Sequence, residues 1–287
     1  MNKRQIEIAV ISDIYLGAEC CHAAELLTYL NSIKPKKLVL NGDIIDIRNL
    51  DKGYFPPAHF SVLKRILGMA ANGTEVYYLT GEHDERLRKL STYSISNVHF
   101  RNELILELDG KKTWIFHGAA FDHSSGITKW IARLGSAGRA FLLRLNRWIN
   151  IFWSIIGKPR VSLADSIKYS DDPSWYYGQF EQTVTSLAIR KAVDHVICGH
   201  IHHPKKQWHQ AGTAKCLYMN SGDWVDHYTA LEYNFKRWKL YQYNEDKLSP
   251  FFADSELKEM DEDELLAAIA EPKKGVGKKH LDKVLGK

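Results

Sequence analysis

Residues 37–46 read Lys-Leu-Val-Leu-Asn-Gly-Asp-Ile-Ile-Asp, a short apolar run ending in Asn41, Gly42 and two carboxylates, Asp43 and Asp46. A run of this length, stopped by Asn and Gly, predicts a buried strand. The carboxylates then lie beyond its carboxyl end, where ligand sites gather in open α/β sheets. The same arrangement recurs on either side. Ile6 to Ser12 runs into Ser-Asp-Ile-Tyr-Leu-Gly at 12–17, and Glu75 to Thr80 runs into Thr-Gly-Glu-His-Asp at 80–84. Between them, Ala23 to Ser32 and Ala58 to Ala71 repeat apolar residues at spacings of three and four, which predicts helices. This strand, loop, helix rhythm predicts crossover units feeding a largely parallel sheet.

Working outward, Asn97 to His117 predicts two or three strands around a turn at Asp109-Gly110, the last ending at His117-Gly118. His195 to Cys198 leads into Gly-His-Ile-His-His, Cys216 to Asn220 leads into Ser-Gly-Asp-Trp, and Tyr228 to Tyr243 alternates as a closing antiparallel hairpin. Residues 123–180 break the rhythm and predict a helical insertion. From Lys129 to Arg160 this insertion carries seven basic residues, Arg144 and Arg147 among them, and no acidic one. Trp130, Phe141, Trp148, Phe152 and Trp153 are interleaved with them. Such a helix can lie at an anionic membrane surface or close over an acyl chain. An amphipathic helix packed on its own domain gives a similar spacing, but a merely solvated face usually mixes charge signs.

The chain has 287 residues, 45% hydrophobic and 25% charged, which excludes collagenous, coiled-coil and wholly disordered classes. Its net charge of +5 resides in the tail: Pro272 to Lys287 holds six Lys and one Asp, so the other 271 residues sum to zero. We therefore divide the chain into a domain over 1–250, with the insertion inside it, and an acidic helix with a Lys-rich tail over 251–287. The four cysteines lack disulfide-framework or zinc-ribbon spacing and predict reduced thiols in a cytosol. The longest apolar run, around Trp148 to Ile156, is far shorter than the roughly 20 residues that span a bilayer.

In chain order the strand-end residues are Asp13, Tyr15, Asp43, Asp46, Glu82, His83, Asp84, His117, His200 and His202. Carboxylates and imidazoles on separate loops are a donor set for two transition-metal ions. The segments Asp13-Ile14-Tyr15, Gly42-Asp43-Ile44-Ile45-Asp46, Gly81-Glu82-His83-Asp84, His117-Gly118 and Gly199-His200-Ile201-His202 fall in an order that resembles the calcineurin-like metallophosphoesterases, over roughly residues 6 to 245. Together with the insertion, the stretches His117 to Asp122 and Asn220 to Trp224 are most similar to the UDP-2,3-diacylglucosamine diphosphatase branch.

That resemblance implies a four-layer α/β/β/α sandwich with a helical cap. It implies two divalent ions, manganese first, with zinc or iron as alternatives. Asp13, Asp43, His202 and position 15 would hold one ion; Asp43, position 82, His117 and His200 would hold the other, so Asp43 bridges them. By the same resemblance His83 stabilises the phosphoryl charge or protonates the leaving oxygen, and Asp46 orients its imidazole. Asp122, Arg144 and Arg147 are expected to touch a lipid-linked nucleotide or phospholipid-type substrate. The basic aromatic cap would dock peripherally on the inner face of the cytoplasmic membrane, and no nucleic acid partner is expected.

Three positions depart from the family pattern. Tyr15 stands where a His belongs, Glu82 where an Asn belongs, and Ala119 where this branch carries Asp. A protonated phenol is a poor ligand, since Tyr ionises only at about pH 10 unless a metal drives it. Two readings follow: a working phosphoesterase or pyrophosphohydrolase, or a catalytically impaired relative that binds a lipid or nucleotide without turnover.

Overall fold

In the structure, a computed structural model, residues 3–50, 53–121 and 173–246 are described. The expected contacts Asp122, Arg144 and Arg147, most of the predicted cap, and the tail beyond 246 lie outside the described residues.

The chain opens with the predicted rhythm: β1 (Arg4–Ile11), α1 (Ala23–Ser32), β2 (Ile33–Asn41), a single turn α2 (Ile47–Leu50), α3 (Pro57–Ala71) and β3 (Glu75–Leu79). Next come β4 (Ser94–Ile95), β5 (Val98–Arg101), β6 (Leu104–Leu108) and β7 (Lys111–Ile115). After α4 (Pro173–Arg190) follow β8 (His195–Cys198), β9 (Lys205–Ala211), β10 (Ala214–Asn220), β11 (Thr229–Asn234) and β12 (Arg237–Gln242). They form a seven-stranded sheet in the order β12-β11-β1-β2-β3-β5-β4 and a five-stranded sheet in the order β6-β7-β8-β10-β9. In the first sheet β1, β2, β3 and β5 run parallel, and in the second β7, β8 and β10 do. Antiparallel strands flank both sets, so both sheets are mixed.

Alternation along the strands sorts side chains into three cores and so produces four layers. Ala9, Ile11, Leu38 and Leu40 join the core under α1 and α3, whereas their neighbours Ile8, Val10 and Val39 join a second core with Ile115, Ile197, Leu217 and Met219 of the other sheet. Trp114, Val196, Cys198, Cys216 and Tyr218 turn the opposite way and pack with Phe180, Val184 and Ala188 of α4. The order is helix, sheet, sheet, helix. Residue 180, the expected end of the insertion, lies inside α4.

Two boundaries differ from the sequence reading. β2 starts at Ile33, directly after α1 and four residues before the expected start at Lys37, because Ile33 and Pro35 are buried and paired with Arg4 and Ile6. β9 carries almost no apolar signal since most of it is solvent-exposed, and its pairing with β10 is what makes it a strand. Among the described residues no helix is long and apolar enough to cross a membrane.

Candidate metal centre

The loops after β1 and β2 continue side by side past the strand ends. Asp13 N–H donates to the Gly42 carbonyl (3.1 Å), Tyr15 N–H to the Asp43 carbonyl (3.0 Å) and Leu16 N–H to the Ile44 carbonyl (2.8 Å). Asp13 and Asp43 are thereby fixed beside each other, both fully buried. The second sheet meets them from the other side: Gly199 N–H donates to the His117 carbonyl (3.0 Å), and Trp224 N–H to the Asp13 carbonyl (3.1 Å).

Crowding dictates the glycines. A Cβ on Gly42, whose φ is +80°, would sit 2.3 Å from the His117 ring, and one on Gly81 would sit 2.1 Å from Asp43 Oδ1. Asp13, Tyr15, Asp43, His200 and His202 all have φ between 50° and 68°. Non-glycine residues rarely adopt this left-handed region, and each costs about 1 kcal/mol or more. Five such residues at one point mean that the surrounding fold is imposing their directions.

The donors converge. Asp13, Asp43 and His117 form one group able to hold a cation, and Asp43, Glu82 and His83 a second, with Asp43 common to both. His117 Nδ1 donates to the Asn41 carbonyl (2.9 Å), which fixes the tautomer and leaves Nε2 facing Asp43 Oδ2 at 3.4 Å. Asp43 Oδ1 accepts from His83 N–H (2.8 Å), and Asp13 Oδ2 from His200 N–H (3.0 Å). Asp13 Oδ1 and His117 Nε2 are buried with no hydrogen-bond partner. Buried polar atoms are otherwise almost always partnered, so these two orphans, His117 Nε2 facing Asp43 and Asp13 Oδ1 facing His202, mark a place that a cation would satisfy. The residues fit a divalent metal.

The electrostatics agree. Burial raises the pKa of Asp43, but the adjacent His117 imidazole and the His83 backbone N–H outweigh it and hold the carboxyl well below its usual range. Burial lowers that of His117, yet Asp43 and Asp13 dominate and push it up to about 10. A cation among these groups would take over the role of that proton.

His202 Nε2 lies 3.2 Å from Asp13 Oδ1, and its Nδ1 lies 3.8 Å from Asp223 Oδ2. The Tyr15 hydroxyl is within hydrogen-bond distance of both Asp43 Oδ2 (3.2 Å) and His202 Nε2 (3.1 Å). His200 presents its ring edgewise to His117, with 5.3 Å between centroids. His83 stands edgewise to Tyr15 at 4.9 Å, with Nδ1 3.6 Å from Asp46 Oδ1 and Nε2 3.9 Å from Glu82 Oε1. Asp46 is anchored in turn by Asn49 Nδ2, which donates to Oδ2 (2.8 Å). Asp84 accepts from Gly81 N–H (2.6 Å), Ile44 N–H (3.0 Å) and the Tyr78 hydroxyl (2.7 Å), so it ties the third loop to the second.

Two participants had no role in the sequence reading. Asp223 is fully buried and accepts from the backbone N–H groups of Val225, Asp226 and His227 while its other oxygen takes His227 Nδ1. Burial raises its pKa, but His227 and His202 lower it further, so it stays ionised behind His202. The signal was its place beyond a strand end, in Ser221-Gly222-Asp223-Trp224. His59 on α3 accepts the Gly17 N–H through Nδ1 (2.8 Å) and so braces the Tyr15 loop; nothing local in the sequence marks it.

Taken together, the α/β/β/α layering and a carboxylate shared between two donor groups at the strand ends define a metal-dependent hydrolase of phosphate esters. The chain belongs to the calcineurin-like phosphoesterase family, whose profile matches residues 6–204. Dinuclear metal dependence is typical of that family.

Solved structures show distant likenesses. A predicted phosphoesterase from Streptococcus pneumoniae is 14% identical, with 83% of this chain and 90% of that one covered and a TM-score of 0.36. An archaeal phosphodiesterase is 14% identical, with 82% and 98% covered and a TM-score of 0.41. Vacuolar protein sorting 29 from Cryptosporidium parvum is 12% identical, with 82% and 95% covered and a TM-score of 0.39. A search of the curated proteins finds no match. The family assignment rests on the profile and the layers, not on these likenesses.

Proposed function

We propose that the protein is a phosphoesterase or pyrophosphohydrolase of lipid-linked substrates, cleaving UDP-2,3-diacylglucosamine or a close analogue to the lipid monophosphate and UMP. The hydrolytic part is carried by Asp43, the carboxylate common to the Asp13–His117 and Glu82–His83 groups. When bound, divalent ions, manganese first among them, supply Lewis-acid polarisation of the phosphoryl group and activation of water. Asp13, Asp43, Glu82, His117, His200 and His202 would hold them. His83 faces the same centre with neither ring nitrogen hydrogen-bonded, so it is placed to carry a proton to the leaving oxygen or to neutralise developing charge. Asp46, held by Asn49, sets the direction of that ring.

The lipid part is supported by the sequence of 129–160, where bulky apolar side chains alternate with seven basic residues and no acidic one. Apolar residues there would enclose acyl chains while Arg144 and Arg147, with Asp122, meet the polar head, peripherally on the inner face of the cytoplasmic membrane.

The direct test is turnover of UDP-2,3-diacylglucosamine by the manganese-loaded chain, with release of UMP as the readout. Activity on simple nucleotides that is indifferent to the acyl chains would sink the lipid assignment. Loss of vesicle binding on charge reversal at Arg144 and Arg147 is expected alongside.

One observation favours the non-catalytic alternative. The Tyr15 hydroxyl already satisfies Asp43 and His202 by hydrogen bonding, and a neutral phenol is a weak ligand. Turnover that appears only in Tyr15→His would establish that reading.

A further inference from the structure

The edges of the two sheets are guarded unequally. Their outermost strands are β12 and β4 of the first sheet and β6 and β9 of the second. An edge strand offers a free row of backbone N–H and C=O groups, which proteins blunt by shortening the strand or by placing charges and Pro along it. β4 has two residues, β6 carries the exposed Glu107, and β12 carries the exposed Arg237 and Lys239. β9 is open by comparison. It runs seven residues, Lys205–Ala211, with no Pro or Gly, in unbroken register with β10, and no described segment pairs with its outer side. Its two lysines are turned into their own fold. Lys205 Nζ donates to both carboxylate oxygens of Glu181 (3.0 and 2.8 Å), and Lys206 Nζ donates to the Trp238 carbonyl (2.7 Å). At the midpoint of the strand Trp208 is 55% exposed.

The order of residues along β9 also decides what fits against it. Both lysines lie at one end, and no carboxylate occurs from His195 to Gly222 to offset them, so a parallel copy would set Lys against Lys. An antiparallel copy, related by a two-fold axis at Trp208, sets Lys205 against Ala211, Lys206 against Gln210 and Gln207 against His209 of the second copy. No like charges meet. The two Trp208 side chains stand opposite one another on the face they share with Lys206 and Gln210, and aromatic pairs in this position stabilise a sheet. Such a contact closes on itself, because both copies use the same surface. We propose that the outer edge of β9 is an interaction surface for a second copy of this chain, paired antiparallel about Trp208, so that the two five-stranded sheets continue as one. The inference stands apart from the phosphoesterase reading and does not require turnover.

Sedimentation equilibrium of the full chain between about 1 and 200 μM tests it, with a monomer–dimer equilibrium expected in that range. Trp208→Lys removes the aromatic pair and sets two cations opposite each other, so association is expected to weaken at least about tenfold. Gln210→Lys and Gln210→Glu each bring a charge opposite Lys206 of the second copy. The first is expected to weaken association and the second to tighten it, each about threefold. Both positions are solvent-exposed, so the variants are expected to fold, and opposite signs at one position do not arise from lost folding. A monomer over the whole range, or a dimer indifferent to Trp208→Lys, overturns the proposal. So does a monomer whose β9 amides resist hydrogen exchange equally at every concentration, which would place another segment of the same chain on this edge.

Discussion

The two flanks of Asp43 are built differently. On one, His117 is 3% exposed, its Nδ1 committed to the Asn41 carbonyl and its Nε2 left facing carboxylates with no hydrogen-bond partner. On the other, the Tyr15 hydroxyl reaches both Asp43 and His202, and the His202 side chain is 28% exposed. The first flank presents buried, oriented and unspent donors, which a cation satisfies. The second spends the same types of donor on a phenol. Affinity for metal should therefore be graded across one site whose backbone frame is continuous, with Asp43 as the hinge of the comparison.

The strongest way to break that picture is at the hinge. Asp43→Asn removes the charge shared by both flanks, and kcat/KM for phosphoester hydrolysis is expected to fall on the order of 10³-fold with loss of bound metal. Elemental metal content checks it; full retention of metal would mean that Asp43 is not the shared ligand. Next comes Gly42→Ala, whose new methyl would collide with the His117 ring at a left-handed backbone position. A destabilisation of about 3 kcal/mol is expected, measured by denaturant unfolding. A well-folded Gly42→Ala chain with unchanged metal content would show that the His117 flank is looser than its packing indicates.

How far the sequence could be read follows from the same contrast. Asp13, Asp43, Glu82, His83, His117, His200 and His202 each sit two to four residues past the end of a strand, so the apolar runs that mark those strands were enough to put them at one edge. The four layers came from the family resemblance of these motifs and not from periodicity, which gave only a largely parallel sheet; in the fold each central strand carries large apolar side chains on both faces, which only two covering layers can bury. His59 could not be found this way, because its role is one long-range hydrogen bond from a helix to a loop 42 residues earlier. Asp223 lay in a visible strand-end motif, but its use depends on His227 and His202 reaching it in the fold. β9 escaped because pairing with β10, not burial of its own side chains, makes it a strand.

Tyr15→His sharpens the comparison at its weak flank. An imidazole can coordinate where a neutral phenol only exchanges hydrogen bonds, so manganese affinity is expected to rise about tenfold, and with it the number of ions per chain. Titration calorimetry and metal analysis read this directly. A drop in affinity would instead mean that Tyr15 serves as a phenolate ligand.

The smallest effect concerns what holds the Tyr15 loop in place. His59 accepts the Gly17 N–H through Nδ1, and burial lowers its pKa from the ordinary 6.5. A group whose folded pKa is depressed binds its proton more readily in the unfolded chain, so stability rises with pH across the window between the two values. The contribution of His59 is therefore complete above about pH 6.5 and is lost as pH falls through the folded value. His59→Gln keeps an acceptor for Gly17 but cannot titrate. Between pH 7.5 and 5.5 the wild type is expected to lose more in Tm than this variant, a difference that paired thermal unfolding curves read directly. His202 and His227, whose pKa values are raised by Asp13 and Asp223, oppose this trend equally in both proteins, so the difference between the two curves isolates His59. Parallel curves would place the acid sensitivity elsewhere and leave the Tyr15 flank braced by its backbone ladder to the Asp43 loop alone.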